Sequence, residues 1–156
     1  MKIGEIINSR YKLLDKIGIG GMSTVYLARD TKTGETVAVK VMDEKLTNDP
    51  DYVSRFEREA KVGISLKHPN IANVITYGKE DDSYYIVMEY IQDITLTEYI
   101  NRGPLPLKEA VNIILQVLSA LSYAYSKGIQ AHRDIKPGNI MIDLKTKTVK
   151  IMDFGI

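Results

Sequence analysis

The chain has 156 residues, and its 21 Lys and Arg nearly balance 20 Asp and Glu, which gives a net charge of +1. That balance excludes a dedicated nucleic-acid or acidic-surface binder, which would need an excess of basic residues. The absence of cysteine excludes disulfides, thiolate metal sites and cysteine nucleophiles. No stretch has the length and apolarity of a membrane span. We therefore expect a cytoplasmic location.

The first ninety residues are predicted to be mostly β-structure. Short β-branched or alternating runs, separated by glycine and turn residues, indicate strands at 11–17, 23–29, 36–42, 71–77 and 84–90. Apolar residues at steps of three and four predict one helix over about 51–66: Val53, Phe56, Ala60 and Gly63. Pro69 lies beyond its end, because proline cannot continue a helix.

From residue 91 the pattern becomes helical. A helix is predicted over 105–128, with Pro106 near its first turn and Gly128 as its stop. One apolar stripe consists of Val111, Ile114, Leu118, Leu121 and Tyr125, and further apolar residues lie off that stripe: Ile113, Leu115, Val117 and Ala124. A helix that is apolar around most of its circumference needs partners on several sides. Two short strands follow, at 139–142 and 148–152.

A glycine cluster, "GIGGMSTV", lies between the first two predicted strands, with Gly18, Gly20 and Gly21. One interpretation is a simple hairpin turn, since glycine accepts positive φ angles. The other is a flap that covers phosphates, where missing side chains let the backbone approach closely. A dinucleotide-binding turn is disfavoured, because a strand-like segment follows the glycines where that fold has a helix. Ser23 stands where a third glycine of G-x-G-x-x-G would be.

Lys40 lies between apolar neighbours in "TVAVKVM". It is either a lysine that extends its amine to solvent from an edge strand, or an amine held for an anion by a nearby carboxylate. Glu59 on the predicted helix lies beside the apolar stripe and can supply that carboxylate. Glu57, two residues earlier, is the rival and points elsewhere.

The segment "HRDIKPGN" places five polar residues in a loop between the long helix and a short strand: His132, Arg133, Asp134, Lys136 and Asn139. Phosphoryl transfer needs these types: a carboxylate that accepts the proton of the attacking hydroxyl, and a lysine that neutralises phosphate charge. Asn139 and Asp153 offer the hard oxygen ligands that magnesium prefers. The sequence therefore indicates phosphoryl-transfer chemistry.

At this point the sequence closely resembles the protein kinase family, specifically the bacterial serine/threonine kinases of eukaryotic type (Hanks-type, PASTA-kinase-like). The segments that carry the resemblance occur in the family's order: "GIGGMSTVYLARD", "VAVKVM", "FEREA", "HPNI", "VMEY", "HRDIKPGNIMI" and "MDFG". Together they span nearly the whole chain. The spacing of Lys136 two residues after Asp134 resembles the serine/threonine type rather than the tyrosine type.

The resemblance implies a role for each of these residues. Lys40 contacts the α- and β-phosphates of ATP and pairs with Glu59, beneath a flap that includes Gly18, Gly20, Gly21 and Ser23. Asp134 is the catalytic base and Lys136 the γ-phosphate partner, and Asn139 and Asp153 bind Mg²⁺, with Mn²⁺ as the alternative ion.

The adenine site is implied by the same resemblance. Its residues are Ile17, Val25, Ala38 and Met141, the gatekeeper Met88, and a hinge of Glu89, Tyr90 and Ile91, whose backbone hydrogen-bonds the base. Met88 and Met141 could equally be plain core residues. His132 is structural in this family and packs near Phe154. Arg133 would meet a phosphorylated residue of the activation segment.

The implied fold is α+β and protein-kinase-like. Residues 1–90 form an N-lobe with a five-stranded antiparallel sheet and one helix, and residues 91–156 form an incomplete, mainly helical C-lobe. The family continues beyond this point, so we expect a chain truncated just after the DFG motif, whose parent could be membrane-anchored. We expect such a chain to bind ATP-Mg but to phosphorylate proteins poorly, and to cover its helix 105–128 by self-association or segment exchange.

Two other functions stay open. One is a catalytically dead nucleotide-binding or interaction module. The other is a small-molecule phosphotransferase, which shares the flap and an Asp…Asn loop, although "HRDIK" and "DFG" favour the protein kinase. No nucleic acid and no membrane segment are expected as parts of this chain's function.

Overall fold

The structure, a computed structural model, describes residues 1–153. Two compact units divide the chain: residues 1–64 with 74–90 form unit 1, and residues 65–73 with those from 91 onward form unit 2. A simple division of the chain after residue 90 would place residues 65–73 in unit 1, but they belong to unit 2. The reason is local pairing, because Ile71 bridges Ile151 and the Asn70 side chain donates to the Val149 carbonyl at 2.8 Å.

Unit 1 is an antiparallel sheet with one long helix, as the sequence predicts. Its elements are β1 (Ile6–Ile7), β2 (Tyr11–Ile19), β3 (Ser23–Asp30), β4 (Thr36–Met42), α1 (Pro50–Ser65), β5 (Val74–Glu80) and β6 (Ser83–Glu89). The strand order is β1-β2-β3-β4-β6-β5. The short strand β1 was not predicted, and it adds a sixth strand by pairing with the start of β2.

The sheet is held by an apolar core on one of its faces. The core consists of Ile7, Tyr11, Leu13, Tyr26, Ala28, Val37, Val39, Val41, Tyr85 and Val87. On β4 the alternate residues Ala38 and Met42 are buried as well, so this strand is covered on both faces. Lys40 is therefore placed on a central strand and not on an edge.

Strand β5 begins three residues later than predicted. Residues 71–73 were expected to start it, but Ile71 bridges Ile151 and the Ala72 N–H donates to the Ile151 carbonyl at 2.9 Å. These residues therefore form their backbone hydrogen bonds within unit 2, and pairing with the sheet of unit 1 starts at Val74.

The described part of unit 2, up to residue 153, contains two α-helices and a small sheet. Its elements are β7 (Ile94–Thr95), α2 (Leu96–Ile100), α3 (Leu107–Ser126), β8 (Ile140–Ile142) and β9 (Val149–Ile151), and the sheet order is β7-β8-β9. A 3₁₀ turn at Pro137–Asn139 precedes β8, so that strand starts one residue later than predicted. No helix among residues 1–153 combines the length and the apolarity needed to cross a membrane.

The faces of α3 differ from the predicted stripe. The buried residues are Ile113, Val117, Ala120 and Ala124, whereas Val111, Ile114, Leu118 and Tyr125 are exposed. The helix does end as expected, since Gly128 follows it with φ of 86°. The sequence predicts partners on several sides of α3, and this exposed apolar face is one of those sides.

Candidate active site

The glycine turn of unit 1 joins β2 to β3. The Gly20 N–H donates to the Ser23 carbonyl at 2.8 Å, and Gly18 pairs with Val25. Gly18, Gly20 and Gly21 all lie outside the positive-φ region. A Cβ at Gly20 would approach no described atom nearer than 3.4 Å, and one at Gly21 would meet none within 4 Å. The turn conformation therefore does not require these glycines, which favours a role in close backbone approach to a ligand.

The ion pair of unit 1 joins β4 to α1. The Lys40 ammonium lies 2.7 Å from Oε1 of Glu59, and the two side chains are 13% and 10% exposed. Glu57, the rival carboxylate, instead lies 3.5 Å from Lys61 on the solvent side of α1. A charge-assisted contact of this length in a dry environment fixes the amine firmly.

The residues expected around adenine are placed as follows. In unit 1, Ala38 and Met88 are buried and directly paired across β4 and β6, Val25 is half-buried, and Ile17 is 45% exposed. Glu89, Tyr90 and Ile91 are half-buried, and in unit 2 Met141 is half-buried on β8. Ile17 exposes a large apolar side chain next to the glycine turn.

The polar cluster of unit 2 is centred on Asp134. Its Oδ2 lies 2.9 Å from the Lys136 ammonium, and the Asn139 side-chain amide donates to the same oxygen at 2.7 Å. The Asn139 amide also donates to the Asp134 carbonyl at 2.9 Å. The structure thus brings Asp134, Lys136 and Asn139 together, three residues to which the resemblance gives a catalytic or metal-binding role. All three are at least partly open to solvent.

Electrostatics keep the Asp134 carboxylate charged. Hydrogen bonds from Lys136 and then from Asn139 stabilise its ionised form and lower the pKa of this carboxyl below its ordinary value. The group is therefore ionised at neutral pH, which is the state needed to accept a proton.

His132 connects this loop to the residue before Asp153. It is 4% exposed, its Nε2 lies 2.9 Å from the Met152 carbonyl, and its Nδ1 lies 3.3 Å from the Asp134 N–H. Since the Asp134 N–H donates to Nδ1, the neutral ring donates through Nε2 to Met152. The histidine therefore orients the loop backbone, in keeping with the structural role that the resemblance implies.

Asp153 follows β9 with a φ of 54°. Aspartate is among the few non-glycine residues that adopt this left-handed region. The backbone just before it is fixed, since the Met152 N–H donates to the Asn139 carbonyl at 2.9 Å. Phe154 and Gly155, the rest of the DFG motif, lie outside the described residues. Arg133 is exposed and also has a positive φ, of 68°.

The donor set fits a magnesium ion that arrives with phosphates. Asn139 uses its amide nitrogen for both contacts with Asp134, and within residues 1–153 its side-chain oxygen accepts no hydrogen bond. In that part of the chain no three His, Cys, Asp or Glu side chains are grouped to hold a metal by themselves. Mg²⁺ is commonly held by one or two protein oxygens together with substrate phosphates and water, which matches Asn139 and Asp153.

Sequence reasoning missed one polar network of unit 2. The Gln116 side-chain oxygen accepts from the Val149 N–H and from the Asn70 amide, both at 2.9 Å, and its nitrogen donates to the Lys147 carbonyl at 2.9 Å. This network anchors β9, which leads to Asp153. A glutamine amid the apolar residues of α3 was its only signal in the sequence.

Comparison with known proteins agrees with this picture. A family model for the protein kinase domain matches residues 11–156. The serine/threonine-protein kinase PrkC of Bacillus subtilis is 49% identical over 157 residues, which cover 100% of this chain and 24% of PrkC. The serine/threonine-protein kinase PknB of Mycobacterium tuberculosis is 43% identical over 155 residues, which cover 96% of this chain and 24% of PknB.

A solved structure extends the comparison. The crystal structure of the Mycobacterium tuberculosis PknI kinase domain superposes with a TM-score of 0.85 at 31% identity, over 100% of this chain and 63% of that one. The chain spans about a quarter of the length of PrkC and of PknB. Its fold is that of a protein kinase, with the antiparallel sheet and helix of the N-lobe. The chain belongs to the protein kinase family.

Proposed function

We propose that this chain supplies the nucleotide-binding and catalytic-loop residues of a serine/threonine protein kinase, and that the whole protein transfers the γ-phosphoryl group of ATP to serine or threonine hydroxyls of proteins. The observation that carries this proposal is the contact set of Asp134 with Lys136 and Asn139. In this set a cation and an amide each lie within hydrogen-bond distance of one carboxylate oxygen, and phosphoryl transfer uses groups of these three types.

Each residue has a proposed task. Asp134, whose carboxylate is ionised at neutral pH, accepts the proton of the attacking hydroxyl. Lys136 neutralises charge on the γ-phosphate as the P–O bond to the leaving ADP breaks. Asn139 and Asp153 hold Mg²⁺ or Mn²⁺, and the bound ion would neutralise charge on the phosphate oxygens.

Most of the residues proposed to bind the nucleotide belong to unit 1. Lys40, fixed by Glu59 at 2.7 Å, contacts the α- and β-phosphates, and the turn with Gly18, Gly20, Gly21 and Ser23 covers them. Adenine lies against the apolar side chains of Ile17, Val25, Ala38, Met88 and Met141, and the backbone of residues 89–91 hydrogen-bonds it. The domain is expected to act in the cytoplasm, where ATP is available.

The 156-residue chain by itself is proposed to bind ATP-Mg but to phosphorylate proteins poorly. It covers 63% of the PknI kinase-domain chain that it matches, so more than a third of that chain lies outside the match. We expect peptide phosphorylation far below the rate of about 1–100 s⁻¹ that is typical of kinases. A radiolabel-transfer assay with a generic Ser/Thr peptide that gave such a rate would contradict this part of the proposal.

Asp134→Asn separates chemistry from binding. We expect it to lower the residual transfer by about 10²- to 10⁴-fold, because the amide cannot accept the proton. ATP affinity should stay within about threefold of wild type, since the base contacts the acceptor rather than the nucleotide. Equal residual transfer by wild type and variant, with intact ATP binding, would instead support a dead nucleotide-binding module.

The acceptor class is tested in the same assay. Peptides are compared with sugar and aminoglycoside acceptors at equal concentration, and the proposal requires that labelling of the peptide exceed that of the small molecules. The reverse order would identify a small-molecule phosphotransferase.

The exposed face of α3 supports a proposal on assembly. Leu107, Ile114 and Leu115 are 81%, 56% and 59% exposed there. An apolar patch of this kind favours association in water, so we propose that the isolated chain covers it by self-association or segment exchange. Light scattering should then give a mass above that of one chain. A monodisperse monomer that binds no dye for apolar surfaces would contradict the proposal, and Leu115→Lys should reduce the mass.

A further inference from the structure

A cavity in unit 1 is lined by none of the residues proposed for the nucleotide site. Its volume of about 670 Å³ lies within the usual range of ligand pockets, about 300–1,000 Å³. The wall is formed by Met1 and residues 5–7, by the segment 44–48 after β4, and by the turn between β5 and β6. The Asn8 N–H donates to Oε2 of Glu80 at 2.7 Å, which holds the end of β1 beside that turn. Three segments that are distant in sequence thus enclose one cavity.

Carboxylates dominate the wall of this cavity. Among residues 1–153, the wall holds no Lys or Arg but five acidic side chains: Glu5, Glu44, Glu80, Asp81 and Asp82. The cations beside them are loosely engaged, since the Met1 ammonium lies 3.5 Å from Glu44 and the Lys79 ammonium 3.8 Å from Asp82. The whole chain has a net charge of +1, so this concentration of negative charge is local and favours a cationic ligand.

Ser83 supplies independent evidence for a ligand. It is only 9% exposed and lines the cavity, and within residues 1–153 its hydroxyl has no hydrogen-bond partner. In the same part of the chain, no side-chain polar atom is both enclosed and unpaired, so the hydroxyl opens onto the cavity that Ser83 lines. A hydroxyl that is largely withdrawn from water without a partner is unfavourable, and a ligand that bonds to it would remove this cost.

The free edge of β1 favours a peptide as that ligand. The Glu5 carbonyl accepts from the Leu13 N–H at 2.9 Å, and the Ile7 carbonyl accepts from the Arg10 N–H at 3.0 Å. Backbone groups alternate in direction along a strand, so the N–H and C=O of Ile6 point away from β2. Ile6 also lines the cavity. An extended peptide can pair with both groups of such an edge.

Smaller cations match these features less well. Among the residues that the structure describes, no three His, Cys, Asp or Glu side chains are grouped to hold a metal ion. A free polyamine can donate to carboxylates and to the Ile6 carbonyl, but it has no carbonyl that could accept from the Ile6 N–H. A basic peptide satisfies the carboxylates, the hydroxyl and the strand edge together.

We propose that this cavity is a docking site for an extended segment of another protein that carries arginine or lysine. The segment pairs with Ile6 through its backbone and places a cationic side chain among the carboxylates, where the Ser83 hydroxyl accepts a hydrogen bond from it. Arginine suits the site best, because its planar guanidinium can donate to two acceptors at once. This inference does not rest on the proposed function, since binding here involves no nucleotide.

The experiment uses a fluorescein-labelled hexapeptide of alternating arginine and valine, whose arginines share one face when it is extended. Fluorescence anisotropy with the 156-residue chain, without nucleotide, should show saturable binding with a Kd below about 1 mM. Asp81→Asn combined with Glu44→Gln should weaken binding at least about tenfold. Asparagine is chosen because it tolerates the φ of 50° at position 81.

A second double variant is the matched control. Asp15→Asn combined with Glu35→Gln removes the same two charges from exposed positions of unit 1 that do not line the cavity. Its affinity for the peptide should stay within about twofold of wild type. Equal weakening by both double variants, or no saturable binding by wild type, would overturn the inference.

The role of the strand edge is tested separately. Saturating peptide should slow hydrogen exchange of the Ile6 amide, followed by NMR, at least about fivefold. A hexapeptide of the same charge with N-methylated valines should bind at least about fivefold more weakly, because it cannot donate to the edge. Unchanged exchange at Ile6, or binding of spermidine as tight as that of the peptide, would overturn the proposal of a protein segment. Loss of ATP binding would leave all these results unaffected, so the two proposals fail independently.

Discussion

We expect Lys40→Ala to weaken the binding of ATP-Mg to the 156-residue chain by about 10- to 100-fold. The substitution removes the cation proposed to contact the α- and β-phosphates. It also leaves the Glu59 carboxylate, only 10% exposed, without this counter-charge in the region that must accept an anionic ligand. Both effects weaken binding, and isothermal titration calorimetry measures their sum.

Two variants make this result specific. Lys12→Ala removes an exposed lysine from β2 of the same sheet and should leave the affinity unchanged, which controls for net charge. Glu59→Gln should weaken binding less than Lys40→Ala, because the amine remains but is less firmly held. Affinity of Lys40→Ala within about threefold of wild type would remove Lys40 from the proposed phosphate site.

Asp153→Asn should abolish most of the dependence of ATP binding on magnesium. A carboxylate ligand is replaced by an amide of the same shape, so the charge that attracts the ion is lost. Asparagine is the appropriate replacement because it, too, tolerates the left-handed backbone that Asp153 adopts at φ of 54°. We expect wild type to bind ATP about tenfold or more tightly with Mg²⁺ than with EDTA, and the variant to show little difference.

Asp82→Asn is the control for this experiment, since the Asp82 side chain is 99% exposed at a turn of unit 1. It should retain the full effect of Mg²⁺. Asn139→Ala should reduce the effect as well, and it also removes two hydrogen bonds to Asp134. An undiminished magnesium effect in Asp153→Asn would show that the ion is held by other residues.

The parts of the fold that were predictable from the sequence are those with strong periodic signals. Alternation in "TVAVKVM" and the three-to-four spacing in α1 depend on local chemistry, and their strand and helix are found where expected. Helix α2 was missed, although Thr95 and Glu98 form a capping box that the sequence displays. Its five residues are too few to show a period.

The remaining differences come from contacts between residues that are distant in sequence. Residues 71–73 have a strand-like composition, but Ile71 finds its partner 80 positions away in Ile151, which no local pattern reports. The buried side of α3 could not be predicted for the same reason, because a helix with apolar residues all round does not reveal which side a neighbour covers.

The candidate site, too, was predictable only where its signals are local in sequence. The identity of its residues was readable, since Lys40, Asp134 and Asn139 occur in segments with a specific order. The structure was needed to choose Glu59 over Glu57, through the 2.7 Å contact of Glu59 with Lys40. It was also needed to show that Gly18, Gly20 and Gly21 have no positive φ.

The most direct test of the central claim uses an acyl-phosphate derivative of ATP, which transfers its acyl group to amines that lie beside the bound phosphates. With Mg²⁺ present, the account predicts that Lys40 and Lys136 are the labelled lysines, that excess ATP prevents the labelling, and that Asp153→Asn reduces it at both positions. Labelling spread evenly over the exposed lysines and insensitive to ATP would contradict the claim that these residues serve one nucleotide.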